Sequence, residues 1–304
     1  MNPVFVGAGV AIITPFDKEG KIDFERFSKL IEFQIANKTD AIIVCGTTGE
    51  GSTLSVEERL KLFSYAVQQV NGRVPVIGGT GSNSTFFTRD LALEAEKTGI
   101  DAHLIVTPYY NKTSQDGLIK HYTYLADTLD KPIIVYNVPT RTGMNILPET
   151  YLKLSGHTNI VAVKEADTNI SKLIKSKSLC GDRLDFYIGN DDMISVSAYV
   201  GCKGVISVLS NILPGFTHKM TMCALNGNIS EANAMQASSL EIIEAIFCEV
   251  NPIPIKSAMK ILGYDSGFLR GPLCKLTDEK QRCLEAIINK YRSFIGAEDT
   301  INIL

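Results

Sequence analysis

No Cys-x-x-Cys pair occurs in the 304 residues, and the seven cysteines (45, 180, 202, 223, 248, 274 and 283) are scattered and odd in number. That spacing suits neither a zinc site nor a disulfide framework; it fits small buried residues in a reducing compartment. The four histidines, His103, His121, His157 and His218, lack His-Glu-x-x-His or any other ligand spacing, so no protein metal site is expected. Neither a basic stripe nor an acidic block is present. The formal net charge of −3 gives nucleic acid and membrane surfaces no electrostatic footprint. No run of about 18 apolar residues could span a bilayer. The opening Met1-Asn2-Pro3-Val4-Phe5 has no basic n-region or apolar h-region, so no signal peptide is expected and the chain reads as soluble and cytoplasmic.

What the sequence does contain is 45% apolar residues in a regular alternation. Short apolar, β-branched runs at 10–14, 41–45, 74–78, 102–106, 132–136, 160–164, 185–189 and 204–207 read as buried strands. Helical stretches lie between them. Asp23 can cap a helix whose apolar face is Phe24, Phe27, Leu30, Ile31 and Ile35. Ser55 and Glu58 have capping-box spacing ahead of Leu60, Phe63, Ala66, Val67 and Val70. Eight such strands over about 225 residues predict a (β/α)8 TIM barrel, an α/β fold. A doubly wound open sheet is the alternative, but it wants a Gly-rich turn after the first strand, and Thr14-Pro15-Phe16-Asp17 is not one.

From about Ile229 the strands stop and apolar residues recur at helical spacing: Ala232, Met235, Leu240, Ile243, Phe247. Asn251-Pro252 opens another short helix, and Thr277 caps a last one carrying Leu284, Ile287, Ile288 and Tyr291. The expected division is a catalytic barrel over 1–226 and an α-helical extension over 227–304. No Ser/Gly-rich linker precedes the extension, so it should pack on the barrel.

In a TIM barrel the working residues stand at the C-terminal ends of strands. The stretch Asn159-Ile160-Val161-Ala162-Val163-Lys164-Glu165-Ala166-Asp167 switches from apolar to polar at Lys164, which puts that lysine at the mouth. Desolvation there disfavours the ammonium and makes the amine available as a nucleophile; the plainer reading is a solvent-facing lysine ending a strand. Strand two runs into Gly46-Thr47-Thr48-Gly49-Glu50-Gly51, whose hydroxyls and backbone N–H groups could hold a small carboxylate, or which could be an ordinary turn. No Gly-Lys-Ser/Thr follows, so it is not a phosphate loop. Strand four ends in Thr107-Pro108-Tyr109-Tyr110-Asn111, and strand five in Tyr136-Asn137-Val138-Pro139-Thr140-Arg141-Thr142-Gly143. A tyrosine here can pack or relay protons, and Arg141 can be a surface residue or a bidentate carboxylate partner. A lysine, tyrosines, paired threonines and an arginine, with no general-base histidine among them, are equipment for an imine with a keto acid.

Four motifs in order, Gly46-Thr47-Thr48-Gly49-Glu50, Pro108-Tyr109-Tyr110, Tyr136 to Gly143, and Val163-Lys164-Glu165, resemble the pyruvate-dependent class I aldolases of the dihydrodipicolinate synthase and N-acetylneuraminate lyase type. The resemblance runs from about Gly7 to Ile295. It implies that Lys164 forms a Schiff base with pyruvate and that no separate cofactor is needed. Tyr136 would shuttle protons through Thr48 to Tyr110, which the family supplies from a neighbouring subunit. Thr47 and Thr48 would bind the pyruvate carboxylate, Arg141 that of L-aspartate 4-semialdehyde, and Gly189 and Ile206 would line the pocket. The threonine pair and Arg141 favour the synthase over a lyase for N-acetylneuraminate or a 2-keto-3-deoxygluconate-type acid; a non-catalytic binding relative is the reading from another class. The family implies a homo-oligomer, a tetramer or else a dimer. Relatives inhibited by lysine bind it with polar residues that Asn83 and Tyr109 match. Val56 and Phe87, however, stand where those relatives carry a histidine and a glutamate, so feedback inhibition is expected to be weak or absent.

Overall fold

The computed structural model describes residues 2–295; residues 296–304 of the expected extension lie outside the described residues. Eight strands, β1 (Gly7–Ala11), β2 (Ala41–Val44), β3 (Val76–Gly79), β4 (Ala102–Val106), β5 (Ile133–Asn137), β6 (Ile160–Glu165), β7 (Asp185–Ile188) and β8 (Gly204–Ser207), pair in chain order into a closed barrel. All pairings are parallel, and β1 closes on β8 with Gly7 opposite Gly204. The expected TIM barrel is what the chain forms.

Helices α1 (Phe24–Ala36), α2 (Val56–Val70), α3 (Thr85–Glu96) and α4 (Gln115–Thr128) follow the first four strands. After β5 come α5 (Pro139–Thr142) and α6 (Pro148–Leu154), then α7 (Ile170–Cys180), α8 (Ile194–Ser197) and α9 (Pro214–Leu225) after β6, β7 and β8. Asp23 accepts from the Arg26 N–H at 2.9 Å, and Ser55 and Glu58 form the reciprocal capping box. Each cap satisfies backbone donors that a helix start leaves open, worth about 1 kcal/mol.

The first strand differs from the sequence expectation, lying at 7–11 rather than 10–14. Gly7 and Gly204 allow a backbone approach no side chain would permit: a β-carbon on Gly204 would fall 1.8 Å from the Gly7 carbonyl oxygen. At the other end the Ile13 N–H goes to the Asn211 side chain at 3.0 Å instead of to a neighbouring strand, which ends the ladder. A second correction concerns the cysteines. Cys45, Cys180, Cys202 and Cys223 are buried, but Cys248, Cys274 and Cys283 are exposed on the helical C-terminal part.

Strand residues alternate between two layers. Ala41, Ile43, Leu104, Ile134, Tyr136, Ala162, Tyr187 and Ile206 fill the barrel. Ile42 and Val44 face outward onto Phe27, Leu30 and Phe63, in a cluster that continues into Ile242, Ile253, Ile255, Leu284 and Ile288. The last five belong to α10 (Ile229–Ile246), α11 (Ile253–Ile261) and α12 (Asp278–Lys290), so the C-terminal helices share the barrel's apolar core. Each such side chain contributes about 1.5–3 kcal/mol on burial.

One buried ion pair reinforces this docking. Lys256 of α11 meets Glu50 at 2.7 Å, with both side chains fully buried, and donates as well to the Thr14 carbonyl at 2.9 Å. The second Glu50 oxygen accepts from the Arg270 backbone at 3.0 Å. Glu50 sits two residues after Thr48, so the extension grips the loop that carries the threonine pair. Among the described residues, no helix is long and apolar enough to cross a membrane.

Candidate active site

Lys164 and Tyr136 are register partners on adjacent strands, β6 and β5. Both share the parity of Ala162 and Ile134, which fill the barrel, so both point into its mouth. Lys164 is 6% exposed, and its Nζ lies over the Tyr136 ring, 4.5 Å from the centroid. A ring face attracts the ammonium and leaves the stem packed on apolar atoms.

Gly189, just beyond β7, explains how the lysine reaches this position. A β-carbon there would lie 2.9 Å from Ala166 Cβ and 3.2 Å from Lys164 Cε. The missing side chain is the space the lysine stem occupies. Ile206 is fully buried in the layer filling the barrel and so floors the mouth from beneath.

Beside the lysine sit two buried carboxyls. Glu165, next in the chain, faces away and is held by Asn137 at 2.7 Å, Tyr151 at 2.8 Å and the Asp167 N–H at 2.9 Å. Burial pushes its carboxyl above the usual range, against the pull of Lys172 and these donors. Asp191 accepts from the backbone of Val208 and Leu209 at 3.0 and 2.9 Å. Burial raises it too, opposed by the Ser207 hydroxyl, those two N–H groups and the charge of Lys164.

A cavity of about 250 Å³ opens at the mouth, walled among others by Thr47, Leu104, Tyr109, Tyr136, Val138 and Arg141. The loop bearing the threonines is closed on itself by Glu50 N–H to Thr47 O and Gly51 N–H to Gly46 O, both 3.1 Å. Thr47 faces the cavity, while Thr48 is 2% exposed and accepts from Asn251 Nδ2 at 3.0 Å. The Asn251 carbonyl in turn accepts from Arg141 Nη2 at 3.0 Å. One asparagine from the C-terminal extension therefore ties a threonine of the β2 loop to the arginine of α5.

Of the residues singled out from the sequence, the barrel mouth gathers Lys164, Tyr136, Thr47, Arg141 and Gly189, with Ile206 below and Thr48 turned toward Asn251. Tyr110 is not among them. Its backbone is left-handed, with φ of 66°, and its side chain is 90% exposed. Asn251, which the sequence offers only as the start of a helix, joins them. It belongs to no strand end, and its contacts with Thr48 and Arg141 place it at the mouth.

The sequence profile of the dihydrodipicolinate synthetase family matches residues 4–291. This chain belongs to that family. It is 48% identical over 288 residues to "4-hydroxy-tetrahydrodipicolinate synthase 1" of Clostridium acetobutylicum, covering 95% of this chain and 98% of that protein. The synthase of that name from Caldicellulosiruptor saccharolyticus is 49% identical over 289 residues, covering 95% and 98%. Among solved structures, dihydrodipicolinate synthase from Aquifex aeolicus superposes with a TM-score of 0.93 at 39% identity, covering 95% of this chain and 98% of that one. The enzyme from Thermotoga maritima gives 0.93 at 38%, covering 96% and 100%. The resemblance read from the four motifs thus holds over nearly the whole chain.

Proposed function

We propose that this protein is a 4-hydroxy-tetrahydrodipicolinate synthase, joining pyruvate to L-aspartate 4-semialdehyde at the first committed step of the diaminopimelate route to lysine. The observation that carries the proposal is the Lys164 amine held over Tyr136 at the barrel mouth, 4.5 Å from the ring centroid, beside a cavity walled by Thr47 and Arg141.

The Lys164 amine adds to the pyruvate carbonyl carbon, and loss of water leaves an iminium. The iminium acidifies the methyl group; removal of one proton gives an enamine, whose carbon attacks the aldehyde. The aldehyde oxygen takes up a proton, and addition of the second substrate's own amino group, or of water, to the imine carbon expels the Lys164 amine. The Tyr136 hydroxyl is the group we assign to both proton steps. Thr47 and Thr48 hold the pyruvate carboxylate, and Arg141 receives that of the second substrate in a bidentate clamp. Gly189 and Ile206 shape the space around the imine carbon. The covalent imine on Lys164 replaces any cofactor.

Thr48 and Tyr110 complete the relay, Tyr110 entering from a second copy of the chain. The exposure of Tyr110 supports this, as does the neighbouring exposed pair Phe86 and Phe87. A second exposed apolar group, Ile170, Ile174 and Tyr199, lies on another face and supports a homotetramer built from two such dimers. We place the enzyme in the cytoplasm, where free thiols persist and amino acids are made. We also divide the chain at about residue 226 into a catalytic barrel and a helical extension.

A steady-state assay with pyruvate and L-aspartate 4-semialdehyde tests the substrate assignment. Turnover of that pair with none of N-acetylneuraminate is expected; cleavage of the sugar acid at a comparable rate would overturn it.

A further inference from the structure

Two ion pairs lay α10 and α12 side by side in opposite directions: Glu241 with Lys290 and Glu249 with Lys280, each at 2.5 Å. The Tyr291 hydroxyl adds a third tie, donating to the Ser238 carbonyl at 2.8 Å. Exposed pairs of this kind add little stability, but they report the register. Seven residues, or two helical turns, run from Glu241 to Cys248, just past the end of α10. Seven residues also run from Lys290 back to Cys283 on α12. The two cysteines therefore stand opposite one another, bracketed on both segments by the ion pairs. Both are exposed, and charge on Cys283 is felt at the Cys248 thiol.

Partial burial pushes Cys248 above the usual thiol range, against the pull of the Lys280 ammonium beside it, so its reactivity rises with pH. Among the described residues no three His, Cys, Asp or Glu side chains are grouped to hold a metal ion, which leaves the pair to chemistry between its own sulfurs. The third exposed thiol, Cys274, lies outside both helices, in the segment before α12. Cys248 stands three residues before Asn251, whose side chain and carbonyl meet Thr48 and Arg141.

We propose that Cys248 and Cys283 are a modifiable thiol pair, oxidised to a disulfide by a low-molecular-weight disulfide, and that the new bond acts on the barrel mouth through Asn251. One thiolate attacks the small disulfide, forming a mixed disulfide and releasing one small thiolate; the second protein thiolate then displaces the other half. The protein gives up two protons and two electrons in all, and the small disulfide leaves as two thiols. A disulfide needs its α-carbons within about 7 Å, so closing it draws the Cys248 segment toward α12 and slackens the Asn251 tie. The effect on catalysis rests on the synthase reading. In a reducing compartment such a bond is transient, as a redox-sensing one must be.

The test is incubation of the intact protein with glutathione disulfide, followed by peptide mapping without reductant and by steady-state kinetics. Wild type, Cys248→Ser, Cys283→Ser and Cys274→Ser are compared. A peptide linked through Cys248 and Cys283 is expected in wild type and in Cys274→Ser, and in neither of the other two. Where the link forms, kcat/KM for the condensation should fall by about fivefold or more, the scale of one lost hydrogen bond, and return with dithiothreitol. Absence of the linked peptide from wild type overturns the pair, and so does a link made through Cys274 instead. A link with unchanged kcat/KM overturns the coupling to Asn251. An equal fall in Cys248→Ser overturns it too, because that variant can form only mixed disulfides. Mapping needs no substrate: a protein inactive in the condensation before oxidation contradicts the synthase reading, while the linked peptide still decides the pair.

Discussion

Asn251 reaches back 203 residues along the chain to donate its side-chain N–H to the Thr48 hydroxyl at 3.0 Å. The same residue's carbonyl holds Arg141 at 3.0 Å. The C-terminal extension is thereby part of the mouth's construction, because without it both the threonine loop and α5 lose a fixed point. Removing only the side chain isolates the first of these two bonds. Asn251→Ala should lower kcat/KM for the condensation by about tenfold, the effect of one hydrogen bond of 1–1.5 kcal/mol expressed in the transition state. Steady-state kinetics at unchanged thermal midpoint is the check, and an unaltered kcat/KM would show that Thr48 needs no help from the extension.

Gly189 leaves the Lys164 stem its space. In Gly189→Ala the new methyl would press on Ala166 at 2.9 Å and on Lys164 Cε at 3.2 Å. Overpacking of this kind costs about 1–3 kcal/mol, and here the softest neighbour is the lysine stem. The variant should keep its fold while the rate of imine formation with pyruvate falls by at least tenfold. A normal rate of borohydride-trappable adduct would remove Gly189 from the account.

His121 sets an acid limit on stability. Burial depresses its imidazole from 6.5 to about 4; its Nδ1 meets the Thr85 hydroxyl at 2.8 Å, and its Nε2 is buried without a partner among the described residues. An unfolded chain binds the His121 proton below about pH 6.5, whereas the folded chain resists it until about 4, so the neutral ring's stability is complete above 6.5 and is lost as pH falls toward 4. The span amounts to about 3 kcal/mol. Urea unfolding of wild type and His121→Phe at pH 7 and at pH 4.5 should show wild type losing ground relative to the variant by a large part of that amount. Parallel losses would mean that the ring is solvated.

L-Lysine should be a poor inhibitor. Val56 and Phe87 are exposed apolar side chains, on α2 and α3, and the cavity wall beside Tyr109 carries Arg59 and no acid. An ammonium group finds no anionic partner there, a deficit of a few kcal/mol for a partly buried charge. Initial rates should be unaffected by sub-millimolar lysine, and a clear drop in that range would contradict the reading.

Much of the barrel is legible in the sequence because parallel strands covered by helices are short apolar runs. The run 41–45 and the run ending at Lys164 are examples, observed as β2 and β6. The first strand slips out of phase because two glycines, not the apolar run after them, make the close approach, and an asparagine side chain then intercepts Ile13. Lys164, Tyr136, Thr47 and Arg141 can be read because each sits where a strand turns polar. Asn251, and the Lys256 that pairs with Glu50, cannot, since their partners lie about two hundred residues away with no periodicity to announce them. The exposed cysteines escape notice for a related reason. Helical surroundings do not say which face a residue occupies, and Cys248, Cys274 and Cys283 take the outer one.

The proposed mechanism turns on Lys164 as the covalent centre. Reduction of the protein with borohydride in the presence of pyruvate, followed by peptide mass mapping, tests it most directly. A single reduced pyruvyl adduct on Lys164 is expected, formed with pyruvate and absent with N-acetylneuraminate. An unmodified Lys164 would contradict the imine mechanism, and adduct from both compounds would contradict the choice of substrate.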